Sequence, residues 1–544
     1  MRLFQFLRNE RTESWRPVIL MTVVAGIANG ALLALINAGA SAAASEQAGT
    51  QILVLYVLAI AVFIIAKNYG LNATLTRVEQ MVRELRVRIC DKVRRADLPF
   101  IEKLGRGQLY TTVAQDANLI SQSAFIITNA AQEAVMLLFA LLYIAWLSLL
   151  SFFIIVIAIG IGAAVYEKHR RALNRDLQQL TARDAEFLDS MSHVIDGFKE
   201  TKLNRKKSDA LFDSFRAVAE DAERLKVNLG VRFVTDVMFS HVFAYVLIGV
   251  IVFVLPRLVP TFSEIVLKVT AGVLFIVAPL EMIVSSMPMT ARANVALDNL
   301  YSLEHRLDAS LDDAATSEAA VEPFHDFSSI TVDHGSYRYG PEFGVGPIDL
   351  RIERGETIFI VGGNGSGKST LLKVLTGLYP LTSGALLVDD ERLNARNLSG
   401  YRELIAAIFT DFHLFDRLYG LDHVRDTEVR KLLRQMELRE KTDFIGGRFT
   451  TVALSTGQRK RLALISALLE DREIYVFDEW AADQDVHFRE YFYKTILTDL
   501  KAAGKTILAV THDDRYWDLA DRVLKMDAGR IVSESPGQAM RSAS

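Results

Sequence analysis

The amino-acid sequence predicts a membrane domain of six α-helices followed by an α/β domain with a phosphate-binding loop. Three observations support this fold class. Long uncharged apolar runs end before about Thr290, basic segments separate those runs, and a strand, a glycine-rich loop and a helix follow one another at Thr357–Leu378. The chain has 544 residues, which is enough for both parts.

Composition narrows the classes of function. The chain has 61 Lys and Arg against 65 Asp and Glu, a net charge of −4, which disfavours a nucleic-acid-binding protein. Cys90 is the only cysteine, so a disulfide within the chain is excluded. The hydrophobic fraction of 51% is high, and the apolar residues are concentrated in the first half.

The apolar runs predict six membrane-spanning helices. The longest, Ala134–Tyr166, contains no charged residue and is long enough for two helices with a turn near Ser148–Ser151. Buried core helices of a soluble protein are the alternative, which such uncharged lengths disfavour. The predicted membrane domain covers residues 1–305, a linker covers 306–328, and the α/β domain covers 329–544. The predicted helices are 17–42, 51–72, 124–147, 149–168, 233–256 and 267–290.

Charge asymmetry predicts the orientation of the helices. Arginines precede the first helix, and basic clusters follow the second and fourth, whereas the loop "ASEQAG" carries no Lys or Arg. Both termini and the second domain are therefore expected in the cytoplasm. The two basic segments, roughly 73–122 and 168–232, show helical apolar spacing and predict long cytoplasmic extensions of the spanning helices. Each is interrupted, near Pro99–Leu109 and Ile195–Lys207, where a short transverse segment is expected.

The strongest local motif is G-x-x-x-x-G-K-[ST] at Gly362–Ser369, between an apolar β-branched run and a helix. Glycines let backbone N–H groups surround a phosphate, Lys368 adds positive charge, and Ser369 offers a hydroxyl to Mg²⁺. A glycine-rich turn without a ligand is the alternative. The predicted phosphate-binding residues are Gly362, Gly363, Asn364, Gly365, Ser366, Gly367, Lys368, Ser369 and Thr370.

Two further predicted strands end in residues suited to phosphoryl transfer. "IYVFDEW" places Asp478 at a strand end, where it would hold Mg²⁺, and Glu479 one residue later, where it would meet the attacking water. "TILAVTH" places His512 at another strand end, within reach of a terminal phosphate. With Lys368, these residues form the predicted catalytic set.

"LSTGQRKR" resembles the L-S-G-G-Q signature of ABC proteins, with Thr456 in place of the first glycine. The resemblance implies ATP and Mg²⁺ as cofactors. It also implies that Ser455, Thr456, Gly457 and Gln458 face the ATP held by a second copy of the chain, so that a homodimer forms. Tyr339 matches the aromatic residue that stacks on adenine, with Tyr337 as the competitor.

The blocks "FTDFHLFD" and "DEWAADQDVHFREYFY" are similar to those of cyclic-peptide and siderophore-peptide exporters, a family that includes the pyoverdine, syringomycin and microcin exporters. The layout resembles a type I ABC exporter half-transporter. Thr410 stands where these proteins usually carry a glutamine that contacts Mg²⁺, and Asp411 follows it. A metal contact from Thr410 is therefore a weaker expectation.

The expected function is ATP-driven efflux of a siderophore precursor or related peptide across the inner membrane. Membrane lipid and efflux partners in the periplasm or outer membrane are the other implied contacts, and no nucleic acid is expected. A lipid or glycolipid flippase and a membrane-anchored ATPase that supports peptide biosynthesis without transport are the alternatives, with import as a minor one. Glu133 and Glu281 lie within apolar runs and are candidates for the cargo path.

Overall fold

The computed structural model describes residues 14–44, 49–258, 265–311, 327–340 and 343–540, together with residues 6 and 324. Most of the predicted linker, 306–328, lies outside these residues. The chain forms two compact units, Met1–Arg94 with Gly105–Arg306, and Arg95–Leu104 with Leu307–Ser544.

The first unit consists of helices. They are α1 (Arg16–Ala44), α2 (Thr50–Arg95), α4 (Arg106–Tyr110), α5 (Ala117–Leu147), α6 (Leu149–Asp196), α7 (Phe198–Leu203), α8 (Arg205–Gly249), α9 (Leu255–Leu258) and α10 (Val266–Leu311), with π-helical turns at Thr111–Asp116 and Val250–Val254; the short helix α3 (Leu98–Leu104) belongs to the second unit.

Five helical stretches among the described residues are long and apolar enough to cross a membrane. They are Arg16–Ala43, Thr50–Arg95, Thr111–Leu147, Arg205–Arg257 and Val266–Ser310. The fourth predicted span differs, because its apolar part, Leu149–Ala164, is shorter than the others. The helix itself continues to Asp196, and the side chains at 165–178 lie outside the described part.

The predicted break between the third and fourth spans lies at Ser148. This residue adopts an extended conformation, and its hydroxyl accepts a hydrogen bond from the backbone N–H of Ser151 at 3.3 Å. The hydroxyl therefore caps the first turn of α6, where the backbone N–H groups have no helical partner.

The membrane helices pack through apolar and small side chains. Gly26 and Gly30 on α1 face α5 so closely that a Cβ atom would lie 2.5 Å from Val135 and 2.7 Å from Phe139. Small residues permit this approach between helix backbones. The buried core of the bundle includes Leu33, Met136, Ala140, Ile144, Ile155, Leu247, Ile251, Val269 and Val273.

The extension of α2 beyond its apolar part follows from its apolar spacing. Val78, Met81, Leu85 and Ile89 recur every three or four residues, and all four side chains are buried. The opposite charges of α2 and α10 add a polar contact, since Glu304 accepts hydrogen bonds from Arg88 at 2.7 Å and Lys92 at 2.8 Å.

The second unit contains two larger sheets. Its strands are β1 (Ser329–Arg338), β2 (Gly344–Glu353), β3 (Thr357–Gly362), β4 (Ser383–Val388), β5 (Glu391–Arg392), β6 (Ile405–Ile408), β7 (Phe444–Ile445), β8 (Arg448–Phe449), β9 (Ile474–Asp478), β10 (Thr506–Val510), β11 (Arg522–Asp527) and β12 (Arg530–Pro536). Its later helices are α11 (Lys368–Leu375), α12 (Leu398–Arg402), α13 (Asp426–Gln435), α14 (Thr456–Glu470), α15 (Val486–Tyr491), α16 (Leu497–Ala502) and α17 (Gly537–Met540).

The main sheet has the order β12-β11-β3-β10-β9-β6, and its strands are parallel except for β12. Every residue of β9 and β10 is buried, as expected for strands covered on both faces. The order brings the carboxyl ends of β3, β9 and β10 side by side. Ligands of such sheets collect at this edge.

Candidate functional site

The phosphate loop runs from the end of β3 to the start of α11. Gly362 has φ +149°, and a Cβ atom there would lie 2.3 Å from the carbonyl oxygen of Met526, so only glycine fits. Gly367 precedes α11 with φ +98°. The loop thus turns tightly between a buried strand and a helix N-terminus, which is the geometry of a phosphate site.

Two side chains of the loop fit a bound phosphate. Lys368 is 5% exposed, and its Nζ donates to the carbonyl oxygens of Gly362 at 3.1 Å and Gly363 at 3.0 Å. The buried hydroxyl of Ser366 has no hydrogen-bond partner among the described residues. A buried polar group of this kind indicates a missing ligand.

Asp478 ends β9 and is 1% exposed. Its Oδ1 accepts a hydrogen bond from Ser369 at 3.1 Å, and its Oδ2 accepts one from Thr410 at 3.4 Å. Burial raises the pKa of the Asp478 carboxyl, partly offset by the Ser369 hydroxyl, while the charge of Glu479 raises it further. One carboxylate with two hydroxyls is an oxygen donor set that suits Mg²⁺.

Glu479 lies beside the phosphate loop. The residue has φ +49°, a left-handed conformation that turns the chain sharply after β9. Its Oε1 lies 3.1 Å from Nε2 of His512 and 3.9 Å from Nζ of Lys368. Glu479, His512 and Lys368, predicted from three separate motifs, therefore form one cluster.

The sequence analysis missed the residues that hold Glu479 in place. Nζ of Lys460, a buried residue, donates to the carbonyl oxygen of Glu479 at 2.8 Å and lies 2.7 Å from Asp483. Trp480 is buried and donates to the carbonyl oxygen of Lys460 at 3.0 Å. The basic run "QRKR" was the available signal, because a lysine on an inward helix face requires a partner.

The signature segment forms the start of α14. Ser455 and Gln458 make a reciprocal capping box. Thr456 is exposed, whereas a Cβ atom at Gly457 would lie 2.6 Å from the carbonyl oxygen of Asp483. A cavity of about 560 Å³ lies over this helix start and is lined by Ser455, Thr456, Gly457, Gln458 and four charged residues.

Arg461 lies on the signature helix α14 and anchors that helix to the segment that follows Glu479. Its guanidinium donates to Gln484 at 2.9 Å and to Asp485 at 2.5 Å, and it lies 3.6 Å above the ring of Phe488. The backbone N–H of Phe488, together with Arg461, lowers the pKa of Asp485. The segment after Glu479 is thereby fixed against the signature helix.

The two tyrosines near the start of the domain differ in accessibility. Tyr339 is 53% exposed, whereas Tyr337 is buried and stacks on Tyr379 with ring centroids 4.5 Å apart. Tyr339 therefore has the more accessible of the two rings, and its stacking on adenine stays a prediction.

The structure does not bring the two predicted cargo-path residues together. Glu133 lies 3.8 Å from Nζ of Lys67, and Glu281 lies 3.2 Å from Nε2 of His241. A cavity of about 1150 Å³ in the helical unit is lined by other residues, and neither glutamate belongs to its lining.

Comparisons with known proteins identify both units. Residues 345–482 match the family described as ABC transporter, and residues 18–199 match the ABC transporter transmembrane region. The chain is 34% identical to the ATP-binding protein SyrD of Pseudomonas syringae pv. syringae, over 95% of this chain and 93% of SyrD. It is 25% identical to an ATP-dependent lipid A-core flippase of Ralstonia nicotianae, over 98% and 92% of the two chains.

A solved structure of a bacterial Atm1-family ABC exporter with ATP bound has the same fold, with a TM-score of 0.77. The match covers 99% of this chain and 96% of that chain at 17% identity. The predicted fold class, helical membrane domain and then ATPase domain, is confirmed. The chain belongs to the ABC transporter family, as a multi-pass exporter half-transporter whose ATP-binding domain couples hydrolysis to transport.

Proposed function

We propose that this exporter moves a peptide, such as a siderophore precursor or related nonribosomal peptide, from the cytoplasm across the inner membrane. The near-full-length similarity to SyrD, together with the blocks shared with cyclic-peptide exporters, supports a peptide cargo. The single structural observation that carries the proposal is the cavity of about 1150 Å³ in the helical unit.

This cavity has the size and lining that a peptide requires. Its walls carry both signs of charge, with Asp184 and Asp189 from α6, Lys226 from α8, and Arg292 and Arg306 from α10. Lys226 and Asp184 pair with each other at 2.8 Å, but a purely apolar cargo would leave Arg292 and Arg306 without partners in the described part of the chain, which is costly. A peptide offers carboxylates, amines and amides to both signs.

The α10 wall forms a regular polar face. Arg292, Asn299 and Arg306 are seven residues apart, so they lie on one side of the helix, about 10 Å apart along its axis. Neither arginine has an ion-pair partner among the described residues. The spacing suits an extended cargo that presents two acidic or carbonyl groups.

The residues of the ATPase unit would have separate roles in ATP hydrolysis. Ser369 and Asp478 would hold Mg²⁺, which neutralises phosphate charge when it is bound. Lys368 would leave the loop carbonyls for the phosphates. Glu479 would accept the proton of the attacking water, and His512, 3.1 Å away, would orient Glu479 and contact the terminal phosphate.

We propose a homodimer as the working state. The chain carries one phosphate loop and one signature segment, and a signature helix start is a second anion site. The cavity of about 560 Å³ over Ser455–Gln458 is large enough for a phosphate group held by the other copy. A stable monomer that hydrolyses ATP at full rate in lipid would overturn this assignment.

The test uses inverted membrane vesicles and a labelled nonribosomal peptide of the siderophore-precursor class. We expect ATP-dependent accumulation of that peptide with the wild-type protein and none with Glu479→Gln. ATP hydrolysis without accumulation would instead favour a membrane-anchored ATPase that supports biosynthesis. Efflux partners in the periplasm or outer membrane would appear only in intact cells, as a difference between periplasmic and external peptide.

A lipid flippase is the second candidate function, and the similarity to lipid A-core flippases favours it. Proteoliposomes that contain fluorescent lipid distinguish the two. ATP-dependent exposure of the lipid without peptide uptake would replace the peptide proposal.

A further inference from the structure

The short helix α3 contributes one carboxylate to the ATPase unit. The segment Arg95–Leu104 clusters with that unit, although it follows directly on the membrane helix α2 in the chain. Glu102 on α3 accepts a hydrogen bond from the hydroxyl of Tyr379 at 2.6 Å and one from Nζ of Lys373 at 3.0 Å. Leu98 packs against the same aromatic cluster.

The hydrogen-bonded chain continues to the surface. The hydroxyl of Tyr339 donates to that of Tyr379 at 2.9 Å, and Tyr379 donates to Glu102. Three side chains from distant parts of the sequence thus form one directed series, Tyr339 to Tyr379 to Glu102. The first member is the exposed ring that we assign to the nucleotide base.

The middle of the series is rigid. Tyr379 is 2% exposed and stacks on Tyr337, and its ring meets that of Tyr339 edge-on with centroids 5.6 Å apart. Burial, reinforced by the neighbouring Glu102 carboxylate, raises the pKa of Tyr379 far above its ordinary value. The hydroxyl therefore stays protonated and keeps its role as donor to Glu102.

The same carboxylate also contacts the phosphate-loop helix. Lys373 lies on α11, five residues after Lys368, and donates both to Glu102 and to the hydroxyl of Tyr379 at 3.2 Å. Glu102 therefore joins the support of the base site to the helix that begins at the phosphate site. Loss of Glu102 removes the acceptor of the Tyr379 hydroxyl and leaves Lys373 only that hydroxyl as a hydrogen-bond partner among the described residues.

We propose that Glu102 is a positioning residue for nucleotide binding, which acts through Tyr379 to hold the Tyr339 ring in its base-stacking orientation. This inference rests on the proposed stacking role of Tyr339, and it does not depend on the identity of the cargo. Because the series ends on α3, filling of the base site and the placement of α3 are energetically linked, and each stabilises the other.

The test measures ATP hydrolysis by the full-length protein in nanodiscs. We expect Glu102→Ala to raise the KM for ATP about three- to tenfold and to leave kcat within about twofold, since an unsupported ring weakens binding without touching the reacting atoms. Tyr379→Phe, which keeps the ring and removes the hydroxyl, is expected to raise KM similarly. Lys103→Ala, on the same helix, is the matched control and leaves KM unchanged.

A double-mutant cycle separates positioning from general structural support. In a Tyr339→Ala background, Glu102→Ala is expected to add no further rise in KM, because the ring it positions is gone. An equal rise in that background would overturn the inference, as would a fall in kcat with KM unchanged.

A separate measurement tests the assignment of Tyr339 to the nucleotide base. If Tyr339→Ala alone leaves the KM for ATP unchanged, Tyr339 does not contact the base, and the inference about Glu102 falls with it. The proposed peptide export would be unaffected, since the vesicle assay with Glu479→Gln tests it separately.

Discussion

Replacement of Thr410 by valine tests how much of the Mg²⁺ site depends on its hydroxyl. The substitution keeps the shape of the side chain and removes only Oγ1, which lies 3.4 Å from Oδ2 of Asp478. The backbone of Thr410 also lowers the pKa of this carboxyl, and valine retains that backbone group. The change is therefore confined to one weak contact.

The expected effect is small. A hydrogen bond at 3.4 Å is longer than the usual O–H···O range, so we assign it about 0.5–1 kcal/mol, near the lower end of net hydrogen-bond contributions. That energy corresponds to roughly a two- to fivefold change in an equilibrium constant. Ser369, whose hydroxyl is 3.1 Å from Asp478, has the stronger contact.

The assay is ATP hydrolysis by the full-length protein in nanodiscs, titrated with Mg²⁺ at fixed ATP. We expect Thr410→Val to raise the half-saturating Mg²⁺ concentration about two- to fivefold, with kcat at saturation within about twofold. Ser369→Ala should raise it more, and Thr410→Gln should leave hydrolysis largely intact. A hundredfold loss of kcat in Thr410→Val, or no change in Mg²⁺ dependence at all, would refute the reasoning.

Three further predictions concern the ATPase unit. Lys368→Ala should abolish ATP turnover, and normal turnover would refute the phosphate-site assignment. Asp478→Asn should raise the thermal unfolding midpoint of the nucleotide-free protein at neutral pH, because a raised carboxyl pKa makes the folded state lose stability as pH rises. Asp443→Asn should lower the midpoint, because the Arg439 guanidinium lowers the pKa of Asp443 and stabilises its charged form. A shift of either midpoint in the opposite direction would contradict the corresponding argument. Lys460→Met should destabilise the unit by roughly 2 kcal/mol, since it removes a buried cation from two oxygen partners, and an unchanged midpoint in calorimetry would count against that support.

The parts of the site that lie close together in sequence were predictable. Gly362–Ser369 needs no tertiary information, because strand, loop and helix follow one another and the glycines fix the turn. Asp478 and His512 were predictable because parallel buried strands deliver their carboxyl ends to one edge. The sequence did not reveal which hydroxyls would approach Asp478, since Thr410 follows a different strand, β6.

Contacts across long separations escaped prediction. Glu102 and Tyr379 are 277 residues apart, and neither stands in a motif. From sequence alone, a carboxylate in a short polar segment is expected to be solvated, and only the fold shows that a buried tyrosine contacts it. The predicted transverse segments were likewise longer than the helices observed, Leu98–Leu104 and Phe198–Leu203, because turn-forming residues mark a break without fixing its bounds.

The space around residues 456 and 457 explains why the signature segment has threonine at the first position and glycine at the second. The Thr456 side chain is exposed and lines the cavity over the helix start, so there is room for its hydroxyl and methyl groups. One residue later, even a methyl would collide with the main chain of the turn after Glu479. Among related transporters, we therefore expect several residue types at the position of Thr456 and almost only glycine at the position of Gly457, whatever cargo the transporter carries.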